Sequence, residues 1–159
     1  MTDIDTLAIA VRNQLNVAAS KGTFTPAFTV EIDDKPEFDS VKALETLTVT
    51  LLPHGITLDE ETRGHDKQTS MLQLCFRQHA ERPAASGADV ITAMTERLRK
   101  LEQSVMTWIS HRPRRIPIVG GPKLFGIKCK PLYDAETLRT QRTFIGVIEL
   151  TYDEIARLA

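Results

Sequence analysis

Phe144-Ile145-Gly146-Val147-Ile148-Glu149-Leu150-Thr151-Tyr152 is the stretch whose reading decides the fold. β-Branched and aromatic residues dominate it, and apolar side chains occupy both alternating sets of positions. Phe144, Ile148, Leu150 and Tyr152 fall on one face, Ile145 and Val147 on the other. A strand apolar on both faces belongs in the middle of a sheet or under cover on both sides. The sequence thus predicts a final strand over 142–152 that holds a sheet together rather than fringing it.

Outward from it, 124–130 also has strand character and ends at Pro131-Leu132-Tyr133, after which Asp134-Ala135-Glu136-Thr137-Leu138 fits one helical turn capped by Asp134. Over 44–52, Leu47, Val49 and Leu51 alternate with threonines; over 70–78, Leu72, Leu74 and Phe76 alternate with Met71, Gln73, Cys75 and Arg77. Both runs predict half-buried strands. Pro53-His54-Gly55 is expected to bend the chain between them, with a brief extension over 56–59 and a charged stretch through Arg63-Gly64-His65-Asp66. Residues 24–32 read as a first strand, and the early Pro26 suits an edge position.

Two segments repeat at helical spacing. Ile4, Leu7, Ala8, Val11, Leu15 and Ala18 predict a helix over 4–19, with Asp3 or Asp5 at its positive end and Ser20-Lys21-Gly22 as its stop. Ile91, Met94, Leu98, Leu101, Val105 and Trp108 form one stripe along a helix over 89–108. Burying each of those side chains contributes roughly 1.5–3 kcal/mol, so this helix must pack on the sheet. Arg82-Pro83-Ala84-Ala85-Ser86-Gly87 leads from sheet to helix, and 110–122 reads as an exposed loop. The order lacks a regular βαβ alternation, so the expected fold is α+β: an antiparallel or mixed β-sheet packed on two main helices, N-terminal and central. With 159 residues and 42% apolar content, a single domain spanning 1–159 is expected.

Twenty Lys and Arg nearly cancel 21 Asp and Glu, so bulk charge directs the chain to neither nucleic acid nor an anionic membrane. Cys75 and Cys129 sit in apolar strand-like runs, which suits buried thiols in a reducing compartment better than disulfides or nucleophiles. Met1-Thr2-Asp3-Ile4-Asp5 is acidic where a signal peptide is basic, so the protein is expected to be made in the cytoplasm.

Few constellations suggest chemistry. His54, Asp59, Glu60, Glu61, His65 and Asp66 gather imidazoles and carboxylates, but their spacing matches no metal-ligand pattern, and a solvated charged turn is the better reading. A small metal-binding cytosolic enzyme built on that cluster is the alternative of a different class. Val119-Gly120-Gly121-Pro122-Lys123 lacks the spaced glycines and the Lys-Ser/Thr pair of a phosphate loop. Arg112, Arg114 and Arg115, with His111, make one basic patch suited to a phosphate backbone or to a protein neighbour. No catalytic residue, cofactor or metal is expected.

The patterns Pro131-Leu132-Tyr133, Glu136-Thr137-Leu138, Arg142-Thr143-Phe144 and Val147-Ile148-Glu149-Leu150-Thr151-Tyr152 resemble the tail terminator and head-to-tail joining (neck) proteins of tailed bacteriophages. Leu47-Thr48-Val49-Thr50-Leu51-Leu52-Pro53, Glu61-Thr62-Arg63-Gly64 and Gln73-Leu74-Cys75-Phe76 extend that resemblance upstream. It implies a virion protein without enzymatic activity, made in the host cytoplasm. Such a subunit forms a homo-oligomeric ring, commonly a hexamer, on the head-proximal end of the tail. Its partners are other copies of itself, the tail-tube protein, the head connector or stopper protein and DNA passing through the ring; a neighbouring connector or stopper is the related alternative. Under this resemblance Arg63, in the turn Thr62-Arg63-Gly64, and Arg142 are the expected side chains for subunit contacts, with local turn pairing as the competing role. Arg112, Arg114 and Arg115 are candidates for contact with an adjoining ring or with DNA. The Arg- and Pro-rich loop before Lys123 and the acidic pair Asp153-Glu154 depart from the family's pattern.

Overall fold

The computed structural model describes residues 2–32, 46–62, 64–79, 87–111, 121–129, 136, 138 and 142–157. Helix α1 (Ile4–Ser20) is followed by strands β1 (Val30–Ile32), β2 (Thr48–Thr62) and β3 (His65–His79), helix α2 (Gly87–His111), and strands β4 (Lys123–Cys129) and β5 (Thr143–Arg157). The five strands form one sheet in the order β1-β2-β3-β5-β4. β1 runs parallel to β2 and every other pair is antiparallel, so the expected mixed sheet with two helices is the observed fold.

Register settles which face is buried. Val49 stands opposite Phe76, Leu51 opposite Leu74, Leu74 opposite Ile148 and Leu72 opposite Leu150. Partners across a ladder point to the same side. These residues share one core with Leu7, Val11 and Leu15 of α1 and Leu98, Leu101 and Val105 of α2, so both helices cover the same face. The other face carries Met71, Gln73, Ile145, Val147 and Glu149, all half-buried. β5 is thus central, as its sequence predicts, but its two faces are not equally covered. Cys75 is buried on the side away from the helices and takes no part in the main core.

Local signals explain most boundaries. Asp3 caps α1: its Oδ1 accepts from the Thr6 backbone N–H at 2.8 Å, and that bond holds its carboxyl below the usual carboxylate range. Strand β1 covers only the end of the predicted 24–32; the chain ahead of it bends over 24–26, and Phe24 and Phe28 enter the core. Asn16 of α1 then grips β1 from the side. Its Nδ2 donates to the Val30 carbonyl at 3.1 Å and its Oδ1 accepts from the Val30 N–H at 2.7 Å, so a side chain stands where a further strand would pair.

The largest difference from expectation lies at Pro53-His54-Gly55. The chain does not bend there; β2 continues to Thr62, and a register shift between Pro53 and Gly55 absorbs the irregularity as a bulge. β1 pairs only with Val49, Thr50 and Leu51, so beyond that point no described strand flanks β2 on its outer side. An edge is where a proline without an N–H is tolerated. β5 likewise runs past the predicted end at Tyr152 to Arg157, paired with β3 throughout. Of the predicted helical turn over 134–138 only residues 136 and 138 are described, both helical, and the loops over 82–86 and 112–120 lie outside the described residues.

Candidate subunit interface

The long strands give the sheet an arm that extends past the start of α1. Thr2, just ahead of the helix, marks where the helical layer begins. Its backbone N–H donates to Glu154 Oε2 at 2.8 Å, and Gln68 Nε2 donates to its carbonyl at 2.8 Å. Beyond the Gln68–Glu154 row the described residues are sheet alone: the end of β2, the start of β3 and the end of β5. Thr62 pairs with His65 at the end of the hairpin, and Gly64 lies in the turn between the two strands. Gly64 has φ 87, a left-handed conformation that glycine adopts without penalty.

Apolar side chains on this arm face solvent. The bulge after Pro53 shifts the alternation by one, which sets Ile56 opposite Ser70 and Leu58 opposite Gln68, on the helix side of the sheet but on its outer strand, at and just before the row that Thr2 marks. They are 47% and 65% exposed. On the opposite face Ile155 is 60% exposed, and Phe125, the extra residue of a bulge in β4, is 72% exposed. Lys67 Nζ lies 5.5 Å from the Phe125 ring centre and 3.6 Å from Asp153 Oδ2. Exposed apolar residues gathered at one end of a sheet mark a contact surface more than a folding requirement.

Of the acid and imidazole groups noted in the sequence, His54 lies at the bulge in mid-strand, while Asp59, Glu60, His65 and Asp66 lie toward the arm, where pairing separates them. Asp59 is opposite Lys67 and Glu60 opposite Asp66, so neighbouring members alternate between faces. Among the described residues, no three His, Cys, Asp or Glu side chains stand close enough to hold a metal ion.

Of the expected contact residues, Arg63, Arg112, Arg114 and Arg115 lie outside the described residues. Arg142 is half-buried at the entrance to β5 with φ 55, an unusual conformation for a residue with a Cβ. The described part of the basic patch is His111, the last residue of α2, whose Nδ1 lies 2.7 Å from the Thr107 carbonyl. Trp108 is half-buried with its ring edge against Phe24, 5.6 Å between centres.

Sequence reasoning missed Glu102. It lies on the buried side of α2 with no solvent exposure; Oε2 accepts from Cys129 Sγ of β4 at 3.3 Å, while Oε1 has no partner among the described residues. Burial raises its pKa from the ordinary 4.5 to about 7. Burial, the neighbouring carboxylate and its hydrogen bond push the Cys129 thiol up to about 12, and burial also raises Cys75, so both thiols stay protonated at neutral pH. The available signal was spacing: Glu102 follows Leu101 and lies four residues after Leu98, on the flank of the apolar stripe.

No described helix is long and apolar enough to cross a membrane. No family model matches the chain, and no curated protein matches it either.

Proposed function

We propose that the chain is a non-catalytic virion subunit that forms a ring at the head-proximal end of a phage tail, ends growth of the tail tube and joins the tail to the head. The observation that carries this reading is the set of large apolar side chains exposed toward the arm end of the sheet, Ile56 and Leu58 on the outer strand β2 and Phe125 and Ile155 on the face away from the helices. A monomer gains nothing from holding four large apolar side chains in water at one end of its sheet, whereas a subunit that packs against a neighbour covers them. The resemblance of the strand and turn patterns to tail terminators supplies the kind of assembly. Arg63, which follows Thr62 in the sequence, is proposed for subunit contact. Arg142, Arg112, Arg114 and Arg115 are proposed for contacts with adjoining rings, the last three also for DNA in the channel.

Electron microscopy of uncapped tail tubes incubated with the purified chain tests the reading. A ring at one end of each tube, with elongation stopped, is the expected result. Tubes whose ends stay bare, with a chain that remains monomeric, would overturn it.

A further inference from the structure

A groove of about 460 Å³ opens at the end of the molecule away from the arm. Phe24 and Trp108 form its apolar floor, and Lys100, Gln103, Ser104 and Thr107 of α2 form one wall. Lys100 is exposed and makes no ion pair among the described residues, although Glu96 lies one turn before it. Arg97, also exposed, precedes Lys100 by three residues on the same helix and adds positive charge.

The arm has the complementary chemistry. Leu58 is its most exposed aliphatic side chain near the hairpin turn, with Ile56 on the same face, and Asp59 and Glu60 follow, both exposed. Lys67, the cation opposite Asp59, is already engaged by Asp153. The arm thus offers an apolar anchor with Glu60 on the same face and Asp59 on the other, neither in an ion pair among the described residues, and the groove offers an aromatic floor beside a lysine that is likewise unpaired among them.

The two surfaces cannot meet within one chain. Helix α1 starts beside the arm, where Thr2 is tied to Gln68 and Glu154, and ends beside the groove, three residues before Thr23. Its 17 residues span about 25 Å. Complementary patches at opposite ends of a rigid subunit make a heterologous contact, which closes into a ring when the rotation per subunit permits.

We propose that the arm of one copy docks in the Phe24–Trp108 groove of the next, with Leu58 on the aromatic floor and Glu60, on the same face, bonded to Lys100. This rests on the ring reading above and specifies the contact that builds the ring. A buried apolar anchor flanked by charge-assisted bonds is the usual composition of an interface centre and its rim.

Thiol cross-linking with a bismaleimide, on the full chain with and without uncapped tail tubes, tests it. A chain carrying both Leu58→Cys and Ser104→Cys is expected to give a covalent ladder ending at the ring number. Either single substitution alone should give nothing beyond wild type, in which Cys75 and Cys129 remain. Dimers from Leu58→Cys alone would mean arm-to-arm contact and would overturn the proposal. As a second measurement, Glu60→Lys and, separately, Lys100→Glu are each expected to weaken assembly about tenfold or more, with recovery when both changes share one chain. Rings that form unchanged in every variant would overturn this contact and leave the ring reading standing. A wild-type chain that stays monomeric and leaves tubes bare would overturn both.

Discussion

Glu102 places a carboxyl inside the packing between α2 and β4, where the neutral acid is favoured over the carboxylate. Its folded-state pKa, about 7, lies above the ordinary 4.5. The stability this group contributes is fully present below about pH 4.5 and is lost as pH rises through 7. The loss amounts to roughly 3 kcal/mol. Urea unfolding at pH 5 and at pH 8.5 should show that decline in the wild type and a much smaller one in Glu102→Gln; equal slopes would remove the assignment. Asn16 acts differently, since both of its bonds reach the backbone of the buried Val30. Asn16→Ala is expected to cost about 1–3 kcal/mol in the same measurement, because it strands an N–H and a carbonyl at the edge of the sheet. The spacing of Glu102 from Leu98 put it on the flank of the apolar stripe, but the role of Asn16 was not legible in the sequence. A single polar residue in an amphipathic helix gives no sign of whether it faces solvent or a strand edge brought near by folding.

At the scale of elements, periodicity carried far. The stripe from Ile91 to Val105 lies against the sheet as expected, and Leu72, Leu74 and Phe76 point to the helices. The Pro53-His54-Gly55 segment misled because turn chemistry and bulge chemistry use the same residues. Only pairing with β3 decides between them, and that pairing is long-range. The consequence is functional: the bulge moves Ile56 and Leu58 to the helix side of the arm, whereas simple alternation from Val49 would place them on the other face. Gly64 closes the hairpin at φ 87 with nothing within 4 Å of where a Cβ would stand. Gly64→Ala should therefore cost about 1–2 kcal/mol through backbone conformation alone. Chemical denaturation should detect that loss, while the circular dichroism spectrum of the folded state stays unchanged.

The whole molecule is polarised along its strands. One end holds the arm, with apolar and acidic groups in solvent; the other holds an aromatic groove with a lysine on its wall. Fold class was readable from residue patterns, because each element's buried face is written in local spacing. This polarity was not, because it depends on how far β2, β3 and β5 outrun the helices, a comparison of lengths across the sheet. The arginines that drew attention in the sequence are less informative than the aliphatic residues of the arm, since Ile56 and Leu58 stand out only once the register is known. Self-association is the claim on which the account rests. Native mass spectrometry of the full chain over a range of concentrations, with and without uncapped tail tubes, tests it most directly. A single closed multiple of the 17.8 kDa chain is expected, a hexamer if the resemblance holds for ring size. A 17.8 kDa species at every concentration, with none retained on the tubes, would contradict it.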